Sequence, residues 1–170
     1  GFSYYGHQQF LDLRRDGLHL GSVPEHPVND YRCGEKVVLN DAAFPDLKAE
    51  VTIRILGGDR DAGILFRVSD PAVGYDAHKG YFAAIHPGQQ AVILGRSNGS
   101  SWTEIARAPA KVKRNHDHQL GVAARGGSIA ILLDGRRVLL AEDDTYQLGS
   151  VGVRVVDTHA RFTGLSVKRP

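Results

Sequence analysis

The chain has 170 residues, 42% of them hydrophobic and 24% charged, and a formal net charge of +2. That length predicts a single domain over 1–170 with a core of its own, and the near-neutral balance without long runs of like charge gives no reason to expect a nucleic-acid partner. No apolar stretch reaches the roughly 18 residues needed to cross a membrane, so no membrane partner is expected. The opening GFSYYGHQQF has neither the basic nor the apolar region of a secretory signal, as expected if it follows a cleavage site or an artificial chain boundary.

In chain order the first landmark is Cys33, the lone cysteine. It excludes an internal disulfide framework and a multi-cysteine zinc site, and it is expected to be a plain thiol, since a nucleophile needs a histidine poised beside it. NDAAFPDLKAE (40–50) has room for a short turn, and Pro45 argues against a longer helix. VTIRI then sets Val51, Ile53 and Ile55 on one face with Thr52 and Arg54 on the other, the pattern of a half-buried strand. AGILFRVSD (62–70) continues the habit, with Ile64, Phe66 and Val68 on one face and Gly63, Leu65 and Arg67 on the other. A guanidinium inside that run needs a partner, because an unpaired buried charge is excluded on energetic grounds.

GYDAHKGY (74–81) is bracketed by Tyr75 and Tyr81, His86 follows the strand YFAAI, and Trp102 sits in the turn SNGSSWTE. Sugar rings offer apolar C–H faces that pack on aromatic rings, and their hydroxyls need fixed donors and acceptors, so aromatics in polar company are candidates for carbohydrate contact. NHDHQ (115–119) spaces His116 and His118 as a pair of metal ligands, without marking a third. QLGVAARGGSIAILLDGRRVLL reads as two hairpins, turned at Gly126-Gly127 and at Asp134-Gly135, with Leu120, Val122, Ala124, Ile129, Ile131 and Leu133 inward. Glu142, Asp143, Asp144 and Asp157 imitate a glycosidase carboxylate pair, but loops of any β protein carry such acids. GSVGVRVVD points Val151, Val153 and Val155 inward and Arg154 outward, and ARFTGLSV is the last strand.

Short alternating segments, 20 glycines and the scarcity of helical periods predict an all-β chain, an antiparallel sandwich or barrel. GxSxG, GxxxxGK[ST], HExxH and paired-cysteine motifs are all missing, which removes the common nucleophile, nucleotide and zinc readings.

The succession AGILFRVSD, GYFAAIHP, AVILGRSNGSSWTEIA, HQLGVAARGGSIAILLDGRRVLLAEDDTY and GSVGVRVVDTHARFTGLSV resembles the concanavalin A-like, laminin-G-like jelly roll. Within it the pattern is most similar to carbohydrate-binding modules attached to fructan hydrolases and other bacterial glycosidases, over roughly residues 45–168, and LRRDGLHLGS resembles the entry strand of such modules. The resemblance implies an antiparallel β-sandwich, a noncatalytic module for a polysaccharide or oligosaccharide such as fructan, a covalently linked catalytic domain, and a secreted or extracytoplasmic setting. Some relatives of this fold carry a structural calcium; no clustered Asp/Asn loop places one here. The "GIxFR" pattern also resembles 3-keto-disaccharide hydrolases, which keeps a sugar-active enzyme as the alternative, and a domain docking on its own catalytic partner as a third. The expected ligand-binding residues are Arg67, Tyr75, Tyr81, His86, Trp102, Arg154 and Asp157, with no catalytic residue assigned. Arg67 is expected in a groove, serving a sugar or paired with Asp157 or Glu50.

Overall fold

The computed structural model describes residues 1–7, 10–21 and 34–170; Cys33 lies outside them. The strands run β1 (Phe2–Tyr5), β2 (Leu11–Arg14), β3 (Gly17–Leu20), β4 (Gly34–Leu39), β5 (Leu47–Gly58), β6 (Ala62–Ser69) and β7 (Lys79–His86). They continue with β8 (Ala91–Asn98), β9 (Trp102–Pro109), β10 (Asp117–Arg125), β11 (Ser128–Leu133), β12 (Arg136–Glu142), β13 (Ser150–Val156) and β14 (Thr158–Lys168). One seven-stranded sheet has the order β1-β4-β13-β6-β7-β8-β9, and the other has β12-β11-β10-β5-β14-β3-β2. The named pairs are antiparallel, and the described residues contain no α-helix, as the all-β sandwich expectation requires.

The two sheets bury one shared core. Val51, Ile53, Ile55, Leu120, Val122, Ile129 and Ile131 of the second sheet meet Ile64, Phe66, Ala83, Ile85, Val151, Val153 and Val155 of the first. These are the alternating inward positions of each strand, which is how packed sheets share an interior. Both hairpins form as expected, and Asp134 and Gly135 hold φ 50° and 82°, the left-handed pair of a type I′ turn.

The sheets differ in their outer faces. In the second sheet β5 alternates between buried and accessible residues, whereas β6, β7 and β13 are buried almost throughout. The cause is a second apolar cluster on the outer face of the first sheet: Val38, Leu65, Val68, Phe82, Ala84 and Val156, with Tyr5, Tyr75 and Trp102 packed against it. A sheet covered on both faces reads as a nearly continuous apolar run, which explains AGILF and YFAAI.

A bulge changes the facing of β6. The register slips between Phe66 and Ser69 against β7, and Arg67 takes φ 51°. Val68 therefore joins Leu65 on the outer cluster, and Arg67 leaves the face it was expected to share with Gly63 and Leu65. Its guanidinium reaches across to the second sheet, where Nε donates to the Pro45 carbonyl (2.7 Å) and Nη1 to those of Gly126 (2.8 Å) and Tyr146 (3.1 Å). Its ionic partner is Asp46 at 3.5 Å, in place of the expected Asp157 or Glu50.

Candidate functional site

The outer face of the first sheet is where apolar floor and polar groups converge. Gly63 stands opposite Arg154 on β13 and opposite Ala84 on β7, and a Cβ at Gly63 would lie 1.9 Å from the Ala83 carbonyl, so this row is flat and close-packed. Arg154 crosses it with its guanidinium 4.8 Å above the Phe82 ring and 5.6 Å from that of Tyr75. Its Nη2 donates to the Tyr75 carbonyl and to Asp76 Oδ1 (3.1 Å). Lys36, its cross-strand neighbour, donates to the carbonyls of Gly34 (3.1 Å) and Gly74 (2.7 Å). Two buried cations thus clamp the segment that carries Tyr75 and Asp76 down onto the sheet.

That segment is close-fitting but incompletely satisfied. Among the described residues the buried side-chain atoms without a hydrogen-bond partner are Nδ1 and Nε2 of His78 and Nε of Arg154. Burial, with Arg154 and Lys36 nearby, pushes His78 down to about 3, so its ring is neutral near pH 7. Burial likewise lowers Lys36 to about 8.

Toward the start of β6, Arg60 lies 3.4 Å from Asp157 and 5.8 Å from the Tyr75 ring. Asp157 holds a left-handed φ of 44° in the turn between β13 and β14. Asp61 lies beside them; burial raises its carboxyl above the ordinary range against the pull of His86, Arg60 and Arg154. Among the described residues the Asp61 carboxyl makes no hydrogen bond of its own. His86, at the end of β7, accepts from the Gln89 amide through Nδ1 (3.1 Å). On the other side Trp102 lies flat over Gly95, where a Cβ would be 2.2 Å from the indole, and it meets Phe82 edge-on at 6.2 Å.

The structure thus brings Tyr75, His86, Trp102, Arg154 and Asp157 to one face. Arg67 and Tyr81 lie elsewhere: Tyr81 is fully buried, its ring stacked on Phe66 at 5.1 Å and its hydroxyl donating to Asp143 Oδ1 at 2.6 Å, with burial and that bond holding it up to about 12. A ring enclosed on all sides offers no face to a sugar. Arg60, Asp61, Asp76 and Lys36 are the additions that sequence reasoning missed; GGDRDAG read as an ordinary turn, and a lysine heading the apolar run VVL on β4 was the one available signal. Asp143 serves Tyr81, Arg96 and the Thr145 amide on the core side, apart from Asp157, so the two acids do not share a cleft. His118 is spoken for by Asp134 (3.0 Å) and the Lys113 amide (3.0 Å). Among the described residues no group of three or more His, Cys, Asp or Glu side chains is placed to hold a metal ion.

No family model matches the chain. A levanase of Bacillus subtilis (strain 168) is 29% identical over 134 residues, 78% of this chain and 19% of the levanase, so the chain spans about a fifth of that relative's length. Among solved structures, the carbohydrate-binding module CBM66 from Bacillus subtilis superposes with a TM-score of 0.82 at 20% identity, over 99% of this chain and 95% of that one. A Bacillus subtilis protein with a galectin-like fold gives 0.76 at 14% identity over 99% and 89%. The exoplasmic/lumenal domain of VIP36 in its Ca2+/Man-bound form gives 0.74 at 15% identity over 99% and 83%. The jelly-roll resemblance is borne out: the fold is the one that CBM66 and these lectin-like proteins share.

Proposed function

We propose that the chain is a noncatalytic carbohydrate-binding module, and that the outer face of the first sheet is its sugar site. The observation that carries this reading is the half-buried Asp61 carboxyl, without a hydrogen bond among the described residues, beside Tyr75, Arg60 and Asp157. That acceptor, with the accessible Arg60 guanidinium as donor beside it on a partly apolar floor, suits neighbouring hydroxyls of a neutral sugar. The likeness to a levanase and to CBM66 makes fructan the first ligand to try, with a linked glycoside-active domain and a secreted or extracytoplasmic setting as parts of the same proposal. VIP36 occurs in Ca2+-bound and metal-free forms; a structural calcium in this chain belongs to the proposal only as a variable of the assay.

A site that holds one or two sugar units corresponds to micromolar to millimolar affinity, about −4 to −8 kcal/mol. The test is affinity electrophoresis against levan, inulin, arabinan, galactan and xylan, with and without chelator, followed by calorimetry on any retarded pair. Retardation by a fructan, lost in Asp61→Asn with the melting curve intact, supports the reading. Retardation by none of the five, or a hit that Asp61→Asn leaves untouched, overturns it.

A further inference from the structure

On the outer face of the second sheet, Arg161 of β14 stands opposite His19 of β3, and His159 is two residues along on the same face. Nδ1 of His19 and Nε2 of His159 are 3.2 Å apart, with ring centroids 5.5 Å apart and tilted by 46°. The other nitrogen of His19, Nε2, is 3.1 Å from Oδ1 of Asp16 in the turn between β2 and β3. Zinc–imidazole bonds of about 2.0–2.1 Å separate two ligand nitrogens by about 2.9 Å at a right angle and about 3.3 Å at the tetrahedral angle. The observed separation falls inside that bite.

We propose that His19 Nδ1 and His159 Nε2 form a two-histidine site for a borderline divalent transition metal such as Zn2+, Ni2+ or Cu2+, with Asp16 as the carboxylate that orients His19. An acceptor on Nε2 keeps the His19 proton there and leaves the Nδ1 lone pair free, which is how carboxylates prepare metal-binding histidines. His19 is buried and His159 only half-buried, so an ion enters from the solvent side and keeps water in its remaining positions. Asp16 is shared with Arg161 (3.3 Å), and Arg14 is occupied by Asp12 (2.7 Å). Calcium and magnesium, which demand oxygen ligands, do not suit the pair. The bound ion would tie β14 to the β2–β3 edge hairpin, so metal binding raises stability by mass action.

The test uses the full chain without a histidine tag, titrated with ZnCl2, NiCl2, CuCl2 and CaCl2 by calorimetry and by thermal melting. One zinc per chain is expected, with a higher melting temperature and no response to calcium. His159→Gln should weaken zinc binding by more than about tenfold, and Asp16→Asn by about 10–100-fold, the range for a lost orienting carboxylate. His116→Gln, on the neighbouring histidine pair, should leave it unchanged. No heat and no melting shift at millimolar zinc, binding retained in His159→Gln, or binding lost in His116→Gln would each overturn the proposal and leave the pair a hydrogen bond.

Discussion

Two arginines sit inside apolar runs of the first sheet, Arg67 in AGILFRVSD and Arg154 in GSVGVRVVD, and both are almost fully buried. Their surroundings differ. Nε and Nη1 of Arg67 donate to the backbone carbonyls of Pro45, Gly126 and Tyr146, while Nη2 faces Asp46. Arg154 keeps Nε unpaired, lies against aromatic rings, and shares its neighbourhood with the unpartnered ring of His78. Buried polar groups are nearly always satisfied, so exceptions that gather beneath one face set the packing under the candidate site apart from a finished anchor. Arg67 has finished its bonding within the fold, and Arg154 has not.

The largest effect should come from breaking the anchor. Arg67→Met takes the donor from three carbonyls and the ion-pair partner from a partly exposed Asp46, which keeps its bond from the Gly126 amide; at about 1.5 kcal/mol or more per lost charged hydrogen bond, the cost is about 3–5 kcal/mol. Urea unfolding measures this. A variant with an unchanged midpoint would show that the carbonyls find other donors and that the contrast with Arg154 is false.

At acid pH the cost moves to the other region. His78 takes a proton at its ordinary pKa in the unfolded chain but only near about 3 in the fold. Between the two values the unfolded state binds more protons, so stability falls as pH drops from about 6.5 to about 3, by at most about 5 kcal/mol. His78→Leu should flatten this limb while leaving stability at pH 7 equal or higher, because two orphaned nitrogens disappear. Unfolding curves at pH 4 and pH 7 decide it; an unaltered acid limb in the variant would place the proton-sensitive group elsewhere.

Binding variants sharpen the comparison from the other side. Asp61→Asn should keep the fold, and even relieve the burial cost of the charge, yet weaken the fructan complex by at least about tenfold, or about 1.4 kcal/mol. Arg154→Lys should weaken it through positioning, since a point charge does not reproduce the guanidinium plane that lies over Phe82 and holds Tyr75 and Asp76. Calorimetry on both, with melting curves alongside, is the measurement. Loss of binding in a folded Arg67 variant, with Asp61→Asn unaffected, would reverse the assignment of the two arginines.

Much of this architecture can be read from alternation alone. Val51, Ile53 and Ile55, the two hairpins and the inward valines of β13 lie where period two puts them, because each has one dry face and a fixed register. The facing of Arg67 could not be read that way. FRVS contains neither glycine nor proline, and the left-handed φ at Arg67 is imposed by tertiary contacts, so nothing local announces the slip that sends Arg67 inward and Val68 outward. Asp61 and Arg60 escaped for a different reason: a turn with charged residues is the ordinary solvent-exposed case, and only the arrival of Tyr75, Arg154 and Asp157 from distant parts of the chain makes this one unusual.

The smallest expected effect tests how far the site extends. Trp102 rests on Gly95 and touches Phe82, the ring over which Arg154 lies, so it borders the polar cluster through one shared aromatic. If sugar covers both, Trp102→Ala should remove about 0.5–1.5 kcal/mol of aromatic contact, a loss of about two- to tenfold in affinity. Gly95→Ala should do the same without deleting the ring, because its methyl takes the place of the indole; that Cβ also lies 2.6 Å from the Thr103 carbonyl, so a melting curve must show the β8–β9 pairing intact. Equal losses in the two variants would mean that the flat seating of Trp102 matters, and that the ligand spans from the indole to Asp61. A loss from neither would confine the ligand to the end built by Tyr75, Arg60, Asp61 and Asp157, a pocket for a single terminal sugar instead of a platform for a chain.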